Sequence, residues 1–142
     1  MKKSTDELQK ELSSVPNLTR FLAANQEQFV DESFVEMLST LLDRSGMSKS
    51  TLARRALTSE VYLYQILSGG RMPSRDRTIC LCLGLGLSAT LEQTQELLKR
   101  SGMAQLYARN RRDAVVIYGL IHHMELGEVN DRLYEENEAT LC

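Results

Sequence analysis

Apolar residues recur at helical spacing along most of this chain. Val30, Phe34, Met37, Leu38, Leu41 and Leu42 fall on one face of a helix. Gly46 comes next and suits a left-handed helix stop. No segment alternates apolar and polar residues for long, so strands are not expected and the pattern predicts an all-α protein. The helices predicted span residues 4–12, 18–24 (Asn17 as cap), 31–44, 49–55 after Ser48, and 60–67 after Ser59. A sixth begins after Pro73-Ser74 and ends near Gly84 to Gly86, and the rest cover residues 90–101, 111–123 and 128–137. There is also a weak internal repeat. Residues 91–106 laid over 126–141 pair Leu91 with Leu126, Leu98 with Leu133, Ala104 with Ala139 and Leu106 with Leu141, with Gly102 and Asn137 both serving as helix stops.

The 142 residues suit one domain with helical additions, and 17 basic against 19 acidic residues give a net charge of −2. That total excludes a uniformly basic nucleic-acid glue but hides an uneven distribution. Residues 44–77 hold seven basic and two acidic residues; residues 113–142 hold seven acidic residues and one basic. Five basic residues and no acid lie between Lys99 and Arg112. Arg109, Arg111 and Arg112, around a helix start capped by Asn110 with Asp113 three residues on, read as ordinary solvation, pairing with the acidic tail, or a hold on phosphate. No apolar run reaches the ~20 residues of a membrane span, and the start of the chain does not read as a secretory signal, so a cytoplasmic protein with reduced thiols is expected.

Chemistry-bearing motifs are sparse. Cys80-Leu81-Cys82 and His122-His123 sit at spacings that diverge on a helix, so no metal site is expected and the cysteines read as buried small side chains. No nucleophile elbow, phosphate loop, dinucleotide fingerprint or zinc-protease motif is present, so neither a catalytic set nor a cofactor is expected and the chain is not read as an enzyme.

The informative stretch runs from Ser48 to Ser74. Two short serine-started helices are separated by about three residues, with Leu52, Leu63 and Ile66 turned inward. Gly69-Gly70 ends the second of them, and Pro73-Ser74 starts the next helix. Leu52-Ala53, Ser59 and Gly69-Gly70-Arg71-Met72-Pro73-Ser74 together resemble the helix-turn-helix of the XRE family of phage-repressor and Cro-type regulators. The resemblance covers residues 32–88. It implies a lambda-repressor-like bundle at residues 31–88, with an N-terminal helical extension at 1–30 and a C-terminal one at 89–142. It also implies sequence-specific binding of double-stranded DNA, commonly as a homodimer. On that pattern Ser59, Glu60, Val61, Tyr62 and Gln65 face the major groove, while Lys49, Arg54 and Arg71 lie beside phosphates. Ser48 joins the latter group through the free N–H groups of the helix it starts, and Gln65 is able to pair bidentately with adenine.

The chain departs from the family at three places. Leu57 stands where a glycine is usual in the turn, Lys49 replaces the usual glutamine, and residues 59–68 carry Glu60 but no Lys or Arg. These departures support a second reading: a protein-interaction adaptor that keeps the fold and uses Glu60, Tyr62, Tyr64 and Gln65 against a protein partner. The acidic tail favours it, whereas the basic flank of Lys49, Arg54, Arg55, Arg71 and Arg75 favours DNA. The helices beyond Ser88 are expected to serve dimerisation, partner binding or signal input.

Overall fold

The computed structural model describes residues 3–25 and 33–142, and every element in these residues is helical. They form two compact units, Met1–Glu32 and Ser33–Cys142. In the first, α1 (Thr5–Ser14) starts at Ser4, whose hydroxyl accepts from the Glu7 N–H, and α2 (Leu18–Ala24) starts at Asn17 in the same manner. Phe21 and Asn25 are buried there. The Lys3 ammonium donates to Glu11 at 2.8 Å and to Asn25 at 2.6 Å, and the Asn25 amide also donates to Glu11. The hydrogen bonds from Lys3 and Asn25 hold the Glu11 carboxyl below its ordinary value.

The second unit contains α3 (Phe34–Ser45), α4 (Lys49–Arg55), α5 (Glu60–Leu67), α6 (Arg75–Leu85), α7 (Leu91–Arg100), α8 (Arg111–Ile121) and α9 (Leu126–Glu135). Serine or threonine side chains cap the starts of α3 to α7 (Ser33, Ser48, Ser59, Ser74 and Thr90), each taking a backbone N–H that the helix itself leaves unpaired. The expected start of α3 at Asp31 is corrected: Ser33 has extended backbone and caps the helix, while Asp31 and Val30 lie outside the described residues.

Five of these helices end in one way. Leu57, Gly69, Gly102, His123 and Asn137 all have left-handed backbone, with φ between 53 and 82°. The residue after each donates its N–H back to the carbonyl five positions earlier: Thr58 to Ala53, Gly70 to Gln65, Met103 to Leu98, Met124 to Gly119 and Glu138 to Leu133. The two extra residues given to α8 and α9 by the sequence pattern are therefore their stop signals, and α9 begins earlier than expected because Glu125 and Glu128 form a capping box.

The core is one cluster running through α3 to α9. Leu38, Leu52, Leu63, Ile66, Ile79, Leu97, Leu98 and Leu133 are inaccessible to solvent. α6 is buried along its whole last two turns, Thr78 to Leu85, and is the central rod. Ala53 is buried, and α4 and α6 cross closely at Gly84 of α6: a Cβ there would lie 3.1 to 3.3 Å from atoms of Leu52 and Ala56, at the end of α4. Gly119 does the same for α8 and α9, where a Cβ would meet Val129 at 2.5 Å. Cys80 and Cys82 are buried in α6, and burial pushes both thiols up to about 12.

The internal repeat corresponds to matching structure. After α7 the chain turns at Gly102 and runs back so that Leu106 is buried, its N–H donating to Gln95 Oε1 at 2.6 Å. After α9 it turns at Asn137 and buries Leu141, whose N–H donates to Asn130 Oδ1 at 2.8 Å. Gln95 and Asn130 are equivalent in the repeat. Arginines at two helix starts hold these tails: Arg75 donates to the carbonyls of Ala104 and Gln105, and Arg112 to those of Ala139 and Thr140. The same arginines cross over. Arg75 makes a two-pronged pair with Asp113 of α8, and Arg112 one with Asp76 of α6. α6 and α8 thus grip each other reciprocally at their first turns, and the Asp76 carboxylate raises the Arg112 guanidinium above its ordinary value. At the end of the second tail Asn130 donates to the Cys142 sulfur at 3.3 Å.

Candidate nucleic-acid interface

The outward face of α5 is set by its length and its neighbours. Leu63 and Ile66, three residues apart, are fully buried against the core. The positions between and before them must then turn away from it. Glu60, Val61, Tyr64 and Gln65 are exposed, and Tyr62 is half-buried. Val61 keeps 67% of its surface and Tyr64 50%, a large exposure for apolar side chains on a packed helix. The Ser59 hydroxyl caps the helix by accepting from the Tyr62 N–H at 3.0 Å, so its role at this surface is first structural. Ser48 does the same for α4, at Thr51.

The turn between α4 and α5 holds this face in place. Leu57 adopts φ 53°, the conformation for which glycine is the usual choice, and its side chain is exposed rather than capping the core. Its carbonyl accepts from Arg77 of α6 at 3.3 Å.

Cations border α5 on both sides. Lys49 Nζ lies 5.0 Å from the centre of the Tyr64 ring. Arg71 lies 4.9 Å and Arg77 5.8 Å from the centre of the Tyr62 ring. The two tyrosines therefore anchor the positive charges that α5 itself lacks, each contact contributing about 0.5–1 kcal/mol at such exposed sites. Arg71 also donates to Gln65 Oε1 at 3.2 Å. That contact takes one of the two lone pairs of the oxygen that Gln65 would present to adenine in a bidentate pair.

Two other basic residues expected at this surface, Arg55 and Arg75, are tied into the fold. Arg55 donates to the Gly84 carbonyl at 2.7 Å, and Arg75 is bound to Asp113 and the first tail, so both hold the chain together. Arg54 is exposed at the rim of a separate cleft with Leu57, Leu83 and Glu125, beside the start of α9. Arg112 is committed to Asp76 of α6 and to backbone carbonyls of the second tail, while Arg111 lies 3.8 Å from Glu136, so of the pairing expected with acidic side chains of the tail it is Arg111 that makes one. Asn110 caps α8 by accepting from the Asp113 N–H, but the Asp113 carboxylate turns to Arg75 and the Tyr107 N–H instead of completing a capping box. The C-terminal helices carry their own concave surface, a cleft of about 480 Å³ lined by Ala114, Val115, Tyr118, Met124 and Arg132 among others.

Among the described residues no group of three or more His, Cys, Asp or Glu side chains is gathered for a metal ion, and no helix is long and apolar enough to cross a membrane. Sequence reasoning places Tyr62, Gln65 and Arg71 on this surface but misses Arg77, whose distance from α5 along the chain gives no signal of its contact with Tyr62. No protein-family model, curated protein or solved structure matches the chain.

Proposed function

We propose that this chain is a cytoplasmic transcriptional regulator of the XRE type, which binds double-stranded DNA through a helix-turn-helix formed by α4, the Leu57 turn and α5. In this reading α4 braces α5, and α5 lies in the major groove with Glu60, Val61, Tyr62 and Gln65 toward the base edges. Lys49, Arg71 and Arg77 supply the sequence-blind attraction to phosphate. The observation that carries it is the outward row of α5 bracketed by cations seated on Tyr62 and Tyr64. The fold is joined to α7–α9, which are assigned to dimerisation or to signal input, and a dimer would match a symmetric operator.

A second reading has its own support. Val61, Tyr64 and Met72 expose apolar surface, and α5 begins with Glu60 and carries no cation of its own. Such a face suits a protein partner, for which tyrosine is a favoured contact.

Fluorescence anisotropy of a labelled random-sequence duplex separates the two. If each subunit covers about three phosphates, log affinity falls against log salt with a slope of roughly −2.7 per subunit. Arg71→Glu weakens binding to every sequence. Absence of duplex binding at low salt rejects the DNA reading and leaves the adaptor. Selection from a random duplex library then gives the operator and its symmetry.

A further inference from the structure

Gln65 is the side chain on α5 best suited to read a base, and its surroundings restrict what it is able to read. A free glutamine amide offers one acceptor and one donor side by side, which is why it matches the donor and acceptor of adenine in the major groove. A guanidinium has donors only. Since Arg71 Nη1 lies 3.2 Å from Gln65 Oε1, the amide oxygen faces Arg71 and the NH₂ group is turned away from it, on a side chain that is exposed. Arg71 is not free to swing away without cost: its guanidinium also rests on the Tyr62 ring, and that ring is contacted by Arg77, which is tied to the Leu57 carbonyl.

We propose that Gln65 acts as a donor-only reading head held by Arg71. It would select a base edge rich in acceptors, guanine O6 and N7 first and thymine O4 second, and would discriminate against adenine. Arg71 is then a positioning residue for base choice. Its remaining N–H groups stay available to a backbone phosphate, so one guanidinium couples the two kinds of contact. This inference rests on the DNA-binding reading and deepens it.

The test uses the full chain and the duplexes selected from a random library. The base pair read by Gln65 is the position whose preference disappears in Gln65→Ala. In the unaltered protein guanine should exceed adenine there by about tenfold or more, the discrimination typical of a good paired contact. Arg71→Met removes the donor and keeps much of the length of the stem. It should weaken binding to all sequences, and at that one position adenine should rise to equal or exceed guanine, because the freed oxygen restores the adenine-matching pair. Both positions are exposed, and unchanged thermal melts confirm that the variants are folded. The proposal is overturned if adenine is already preferred, if Arg71→Met leaves the base ranking unchanged, or if Gln65→Ala alters no position. Failure of the DNA reading looks different: no sequence is enriched and no duplex binds at low salt, and the proposal falls with it.

Discussion

Leu57 shows how one residue is held against its preference. Left-handed backbone costs a residue with a Cβ roughly 1–2 kcal/mol, and the exposed leucine side chain gains little burial in return. The turn persists because Thr58 donates to Ala53 and Arg77 to the Leu57 carbonyl. Leu57→Gly should therefore raise stability by about 1 kcal/mol, less than the full strain because glycine also frees the unfolded chain; a rise in the urea midpoint at unchanged slope would show it. The same conformation explains where the sequence pattern misjudges helix ends. Gly69, Gly102 and Asn137 announce a left-handed stop, whereas Leu57 and His123 do not, so the pattern runs α8 on through its stop and counts the stop of α9 as part of the helix. The serine caps are legible because their chemistry is local. The Arg71 to Gln65 contact is not, because it depends on how the Gly69-Gly70 turn brings the chain back over α5.

Among the elements, α6 and α8 are joined by two crossed pairs of unequal weight. The Asp113 side chain is 9% exposed, and it accepts from Arg75 and from the Tyr107 N–H. The Asp76 side chain is 37% exposed and faces Arg112 alone among the described arginines. Removing a buried partner strands the opposite charge, while an exposed pair loses little. Asp113→Ala should cost about 3 kcal/mol, the lower end of the range for buried pairs because Arg75 keeps some contact with water. Asp76→Ala should cost about 1 kcal/mol. Chemical denaturation of both variants checks the order, and an equal loss would contradict it. The repeat is visible in the sequence as matched leucines, yet its working parts, Gln95 and Asn130 receiving the returning tails, are ordinary polar residues whose role no spacing rule reveals.

At the scale of the whole molecule, helical class and the inward leucines are legible in the sequence, because a 3.6-residue period survives in almost every element. The packing of α4 on α6 is less so, since it depends on Gly84 rather than on the small Ala53. The buried thiols of α6 have a consequence for the stability of the entire second unit. Cys80 and Cys82 ionise near 9.0 when unfolded and are pushed up to about 12 when folded. Above pH 9 the unfolded chain has lost protons that the folded chain keeps, so ionisation favours unfolding. The contribution of these thiols is fully present below pH 9 and disappears as pH rises toward about 12. Stability measured by denaturation should decline above pH 9, and Cys82→Ala should make that decline shallower; a slope unaffected by the substitution would contradict it.

The reciprocal clasp between α6 and α8 ties the outward helix to parts of the chain remote from it. The first turn of α6 is fastened on one flank to Arg112 and on the other, through Arg77, to Leu57 and the ring of Tyr62. A disturbance beginning in the last third of the polypeptide has a short mechanical path to α5. Genetic screens scored on the activity of that helix should therefore recover changes in α8 and its trailing segment alongside those on the surface itself.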